Sequence, residues 1–271
     1  MKKFIKRVTV LATIVMGILA IAATIVGVFD YLNQKRIETT HKAYGIYEKF
    51  LKRPIDFICG MMAIIVFWPL YLIVALLVRF KLGSPVLFTQ DRPGLNEKIF
   101  KLYKFRTMTD ERDENGELLP DEIRLTSFGK WLRATSLDEL PEAFNIIKGD
   151  MSVIGPRPQL VRDMVFMSDE HRQRHTVKPG LSGLAQVNGR NDIDWNDKLD
   201  WDLKYIKKIT FVDDLKIIFK TVFKSFVTQE GITDGDMATA EDYGDYLLHR
   251  GEVSQEEYDE KQKEAKRLLE R

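Results

Sequence analysis

Two runs of 22 uncharged residues, Val8 to Phe29 and Phe57 to Val78, constrain this chain most, because so much apolar surface must be buried in protein or placed in lipid. At helical rise each run is about 33 Å long, enough to cross a bilayer's hydrocarbon core. The first follows Lys2, Lys3, Lys6 and Arg7 and reads as an N-terminal membrane helix within residues 1–34. Ala20-Ile21-Ala22 has the small residues of a signal-peptide cleavage site, but the apolar run is longer than a signal peptide's.

The second run contains Pro69 and is bounded by Lys52, Arg53 and Asp56 before it and Arg79 and Lys81 after it. Proline removes a backbone donor and clashes with the preceding turn, which predicts a break. The break leaves arms of 12 and 9 residues, residues 57–68 and 70–78, each reaching about halfway across the bilayer. A re-entrant helix that enters and leaves by one face fits this pattern, and so does a kinked helix that crosses. Cys59, the one cysteine, reads as a packing residue; a disulfide scaffold and a cysteine zinc site are excluded.

The formal charge of +1 hides an asymmetry. Residues 1–109 carry 17 basic and 6 acidic side chains, whereas residues 229–271 carry 6 basic and 13 acidic ones. Between them the pattern is that of a mixed α+β domain. Val86 to Gln90 and Lys98 to Phe105 alternate as strands around a Pro93-Gly94 turn, predicting a hairpin. Helices are expected at about Ser127 to Arg133, Leu140 to Lys148, Trp195 to Lys207 and Asp213 to Val227. The last of these gathers Leu215, Ile218, Phe219 and Val222 beside Lys216 and Lys220, a pattern suited to lying on a membrane surface. Ile154 to Pro158 and Lys178 to Gly183 read as loops. Ser254 to Arg271 reads as a solvated, charged helix capped by Ser254.

The densest group of reactive side chains runs from Arg133 to Glu142. A helix N-terminus with an adjacent arginine favours a phosphate, and two neighbouring carboxylates, Asp138 and Glu139, can divide the work of attacking phosphorus and holding a metal. Ser136 and Glu139 also spell a capping box, a purely structural role. Lys104 and Arg106 are open to reading as one solvated strand face, and Arg157, between Pro156 and Pro158, as a structural pin. His41, His171, His175 and His249 form no metal spacing and receive no catalytic role.

Taken together these segments resemble the bacterial sugar transferase family, the small monotopic phosphoglycosyl transferases, over about Lys52 to Thr228. The resemblance rests on Lys52-Arg53-Pro54-Ile55-Asp56, Phe88 to Gly94, Tyr103 to Met108, Ser136 to Pro141, Gly149 to Ser152, Gly155 to Pro158, Pro179 to Gly183 and Gln186 to Arg190, in that order. It implies an α+β, mostly helical membrane-associated domain over residues 50–228, with a small hairpin sheet and a re-entrant, proline-broken helix at 54–80. Residues 1–34 add a membrane helix and residues 229–271 an acidic tail. Trp68 stands where the family commonly has serine.

The resemblance further implies transfer of a sugar phosphate from a UDP-sugar to polyprenyl phosphate at the bacterial cytoplasmic membrane, with the catalytic domain facing the cytoplasm. On that reading Asp138 is the nucleophile and Glu139 helps bind Mg²⁺. Lys104, Arg133 and Arg157 bind phosphate, and Gln186, Asn188 and Arg190 are candidates for nucleotide or sugar contact. Membrane lipids are implied partners, with pathway glycosyltransferases or a second copy as further candidates; nucleic acid is not. A competing reading is a catalytically degenerate membrane scaffold of a polysaccharide assembly complex, and another a phosphodiesterase acting on lipid phosphates.

Overall fold

The computed structural model describes residues 2–34, 41–189, 194–224 and 241–270. Both apolar runs are helical: α1 (Lys2–Gln34) carries the first, and a π-helical turn (Tyr47–Leu51) leads into α2 (Lys52–Lys81), which carries the second. Each is long and apolar enough to cross a membrane, with mean hydropathies of 2.5 and 2.7 over their apolar segments. Their outer faces are bare, with Ile18, Ile21 and Ile25 exposed on α1 and Val66, Trp68 and Ile73 on α2.

The break expected at Pro69 is absent as an interruption, since α2 is helical straight through it. Proline in a helix interior costs about 3 kcal/mol, and here both flanks are held by tertiary contacts that offset it. Before Pro69, Arg53 donates to the carbonyls of Ile146 and Ile147, both at 2.7 Å, and Asp56 accepts from the Val153 amide at 2.9 Å. After it, the Tyr71 hydroxyl donates to the Leu140 carbonyl at 2.5 Å, while Val74 and Val78 are buried. Both ends of α2 therefore rest on one body. Helix α1 joins them by packing Leu19 and Ala23, and a Cβ at Gly27 would stand 2.6 Å from Pro54 Cγ, so only glycine permits this approach. Asp30 at the C-terminal end of the α1 apolar segment pairs with Lys178 at 2.5 Å.

The expected hairpin forms from β1 (Leu87–Pro93) and β2 (Ile99–Phe105), antiparallel with Leu87 opposite Phe105 and Pro93 opposite Ile99. After a short α3 (Asp121–Arg124), α4 (Ser127–Ala134) starts where the Thr126 side chain accepts from the Gly129 amide. A 3₁₀ turn (Leu137–Glu139) precedes α5 (Glu142–Lys148), which begins two residues later than the expected helix, after Pro141, and ends at Gly149. Val74 and Val78 of α2 and Leu82 just after it share one core with Phe105 and Leu132. The hairpin therefore packs against α2 through Phe105.

Residues 150–183, read in part as loops, contain a second sheet: β3 (Ser152–Ile154) pairs in parallel with β4 (Gly180–Ser182). Strands of three residues are too short to leave an alternation to read. Between them lie α6 (Val161–Met164) and α7 (Asp169–Arg172). Then come α8 (Trp195–Lys207), at its expected bounds, and α9 (Phe211–Phe223). Ile217 of α9 is buried with Ile154, Tyr205 and Ile206, while Phe219, Val222 and Phe223 face outward, as a surface-lying helix requires.

One expectation fails clearly. The C-terminal helices α10 (Tyr243–His249) and α11 (Gln255–Leu269) are docked, not solvated appendages. Ala265 packs with Val161, Met164 and Val165, and Tyr243 and Leu247 with Met167 and Leu199. The few apolar residues among many charges fall on one face, which the composition concealed. Ser254 does cap α11, accepting from the Glu257 amide.

Asn145, fully buried, binds α5 to β2: its Nδ2 donates to the Lys101 carbonyl at 2.7 Å and its Oδ1 accepts from the Tyr103 amide at 3.0 Å. Removing this amide strands polar backbone groups. Asn145→Ala is expected to lower stability by about 2–3 kcal/mol, read from thermal unfolding in detergent micelles.

Candidate active site

Four chain segments meet at one group of charges. Strand β2 brings Lys104, the end of α4 brings Arg133, the 3₁₀ turn and the start of α5 bring Asp138, Glu139 and Glu142, and the loop after β3 brings Arg157. The reversal between α4 and the turn passes through Ser136 in the left-handed region, at φ 54°. A β-carbon is strained there, as is common where a site depends on the chain's path. The Ser136 side chain makes no capping hydrogen bond, so the capping-box reading of Ser136 and Glu139 is not what forms.

Lys104 Nζ lies 2.7 Å from Glu139 Oε1 and 3.2 Å from Glu142 Oε1, and Arg157 Nη2 lies 2.9 Å from the same Glu139 oxygen. Arg133 Nε donates to Thr107 Oγ1 at 3.1 Å. Neither basic strand residue is solvated: Lys104 is committed to the carboxylates, and Arg106 is buried, bonding the carbonyls of Met108 and Ser84. Arg157 is a pin and an ion-pair partner at once.

The carboxylates are driven apart in character. Burial would raise Glu139, but Lys104 and Arg157 overcome it and hold this group well below the usual carboxylate range. Burial and the charge on Glu139 push Asp138 up to about 6, and the same causes push Glu142 up to about 7. Lys104 loses stabilisation by burial, yet Glu139 and Glu142 more than restore it and keep it charged. Carboxylates whose environments separate them this way are suited to different roles. Glu139 is a fixed anion paired with two cations through one oxygen; Asp138 makes no side-chain hydrogen bond among the described residues and retains its basicity.

A cleft of 1510 Å³ opens over this cluster. Its lining includes Ala63, Phe67 and Tyr71 of α2, the charged residues Lys104, Asp138, Glu139 and Arg157, and Trp195, Lys198, Glu241 and Asp242. Gln186 lines it too, with Oε1 buried and unpaired. Asn188 is bonded to the Leu184 carbonyl and does not line the cleft, and Arg190 lies outside the described residues. Sequence reasoning placed Glu142 inside the reactive stretch without giving it a role; only its contact with Lys104, 38 positions away in sequence, reveals one.

Among the described residues no three carboxylate, histidine or cysteine side chains converge to chelate a metal. The donor set suits an ion that takes few protein ligands: both cations meet Glu139 on Oε1, and Oε2 makes no hydrogen bond among the described residues. Magnesium, which usually completes its shell with waters and substrate phosphates, fits that arrangement.

A cation-rich cleft with separated carboxylates, lined in part by a helix apolar enough to cross a membrane, suits anionic ligands such as phosphates. Residues 47–228 match the model of the bacterial sugar transferase family, and the chain belongs to that family. It is 48% identical over 191 residues to a Bacillus subtilis (strain 168) protein named as the uncharacterized sugar transferase EpsL, covering 70% of this chain and 94% of that one. It is 42% identical over 188 residues to the UDP-glucose:undecaprenyl-phosphate glucose-1-phosphate transferase of Klebsiella pneumoniae, covering 66% of this chain and 40% of that one. Over 232 residues it is 35% identical to an Aeromonas hydrophila UDP-N-acetylgalactosamine-undecaprenyl-phosphate N-acetylgalactosaminephosphotransferase, covering 82% of this chain and 54% of that one.

Lys104→Met leaves Glu139 and Glu142 facing each other without their shared cation. The expected loss is about 3 kcal/mol of stability, with partial recovery in Lys104→Met/Glu142→Gln, measured by unfolding in micelles.

Proposed function

We propose that the chain transfers a sugar phosphate from a UDP-sugar to undecaprenyl phosphate through a covalent intermediate on Asp138. The observation that carries this reading is the cleft itself, which joins an apolar wall on α2 to the buried carboxylates and their cations. An acceptor with a lipid tail and a phosphate needs both ends of such a cleft; a soluble donor needs only the polar one. The names of the Klebsiella and Aeromonas relatives support the same reaction class.

On this reading the Asp138 carboxylate attacks the sugar-bearing phosphorus. The bridging P–O bond breaks, UMP leaves with the electron pair, and an acyl phosphate links the sugar phosphate to Asp138. An oxygen of the lipid phosphate then attacks that phosphorus, the acyl phosphate opens, and Asp138 regains its charge as the lipid diphosphate sugar departs. Two displacements replace one difficult step. Lys104 and Arg157, already oriented by Glu139, meet the phosphate charge without reorganising, which is where such sites gain most. Arg133 adds further positive charge near Asp138. Glu139 would hold magnesium together with the donor's diphosphate, and the bound ion would neutralise charge developing on the phosphoryl oxygens.

The seating of α2 supports a re-entrant placement. A helix crossing the bilayer carries one end away from its domain, whereas Arg53, Asp56, Tyr71 and Val78 all contact the same body. The domain then rests on the cytoplasmic face, with lipid phosphate at the height of Asp138. The Asp30–Lys178 pair fixes the C-terminal end of the α1 apolar segment to that face, so α1 crosses with its amino-terminal end outside.

The scaffold reading lacks a matching observation, because nothing about an assembly role requires the cation-saturated carboxylates to be kept intact. Asp138→Asn is expected to reduce UMP release from UDP-sugars, assayed with undecaprenyl phosphate and Mg²⁺, by at least about a thousandfold. Near-wild-type turnover in that variant overturns the assignment. A panel of UDP-sugars in the same assay identifies the sugar, and sustained turnover without a lipid acceptor, beyond one UMP per chain, would favour a phosphodiesterase. For topology, single cysteines at Lys3 and Gln34 in a Cys59→Ser background are expected to label from opposite sides of the membrane; labelling from the same side contradicts the placement of α1.

A further inference from the structure

Helices α10 and α11 lie beyond residues 47–228, yet they pack against the segment that carries Arg157. We propose that this helical pair is a positioning element for Arg157, and through it for the donor's phosphates in the reaction proposed above.

The loop Gly155-Pro156-Arg157-Pro158 runs into Leu160 and α6. Its inner side is held by the family domain: Arg174, bound to Asp202 at 2.7 and 3.0 Å, donates to the Arg157 carbonyl at 2.5 Å, and Arg92 donates to the Pro158 carbonyl at 2.9 Å. Its outer side is held through α6 by the C-terminal pair. The buried Asp163 carboxylate makes the connection, one oxygen accepting from the Leu160 amide and the other from the Tyr243 amide, both at 3.0 Å. Arg162 pairs with Asp242, and the Phe166 and Tyr258 rings meet at a tilt with centroids 5.6 Å apart.

Helix α6 is a single turn of four residues, too short to hold its own shape. Its apolar side, Val161, Met164 and Val165, is buried with Ala265 and Leu268. Undocking the pair exposes that side, frees Asp163 from Tyr243 and loosens the outer support of the Arg157 loop. The residues just before α10 also reach the cleft, where Glu241 and Asp242 form part of its lining.

The test is a double-mutant cycle on the full chain in micelles, with UDP as the probe and calorimetry as the readout. Ala265→Glu places a charge in the α6–α11 contact. It is expected to weaken UDP binding about tenfold in an otherwise wild-type chain, and equally in an Arg133→Ala background, but to have no further effect in Arg157→Ala. A full tenfold loss in the Arg157→Ala background, or no loss in any background, overturns the proposal. If Ala265→Glu does not fold, Leu268→Ala passes through the same cycle with the same expected pattern at smaller amplitude. The cycle reads binding and not turnover, so its failure is separate from a failure of Asp138 chemistry. A wild-type chain that does not bind UDP overturns this inference and the donor assignment together.

Discussion

The Glu139 carboxylate, held on one oxygen by Lys104 and Arg157, is the interaction on which the rest of the structure depends. Its two cations come from a strand and a loop 53 residues apart in sequence, so the ion group closes only when the hairpin, the 3₁₀ turn and the loop after β3 all reach their places. Burying such charges is costly unless each is paired. That cost makes the arrangement a test of the whole fold: Asn145 fixes β2 to α5, Arg174 fixes the backbone of Arg157, and Ser136 accepts a strained conformation so that Asp138 and Glu139 face inward.

The same arrangement separates the two neighbouring carboxylates. Glu139 is held ionised by two cations on one oxygen, which leaves the other free. Asp138 is more buried but lacks those ion pairs, and burial beside Glu139 raises its proton affinity. Two acids adjacent in sequence differ in character because one is paired with cations and the other is buried without such pairs. The membrane helix contributes in a physical way as well. By resting both ends of α2 on one body, the fold places apolar residues of α2 and the charged group of Lys104, Asp138, Glu139 and Arg157 in the lining of one cleft.

Much of this was legible in the amino-acid order wherever the determining interactions are local. The hairpin followed from alternation around Pro93-Gly94, α8 from its apolar spacing, and the start of α11 from Ser254. Family motifs pointed to Asp138, Glu139, Lys104, Arg133 and Arg157 together, and the fold brings them to one cleft. What escaped was set by contacts distant in sequence. The continuity of α2 through Pro69 is sustained by Tyr71, Val74 and Val78 against the domain, which no local rule for proline includes. The docking of α10 and α11 depends on a handful of apolar residues in a segment whose charge suggested solvent. The link between Glu142 and Lys104 depends on a strand and a helix meeting, and no spacing within either element encodes it.

The central claim is that Asp138 becomes covalently bound to the sugar phosphate. The most direct measurement is mass spectrometry of the peptide containing Asp138 after incubation with UDP-sugar and Mg²⁺ in the absence of lipid phosphate, followed by a rapid quench. Covalent catalysis on Asp138 predicts a phosphosugar adduct there with a matching burst of UMP, and discharge of the adduct when undecaprenyl phosphate is added. No adduct, and UMP release only once the lipid acceptor is present, would contradict it and point to direct transfer between the two substrates.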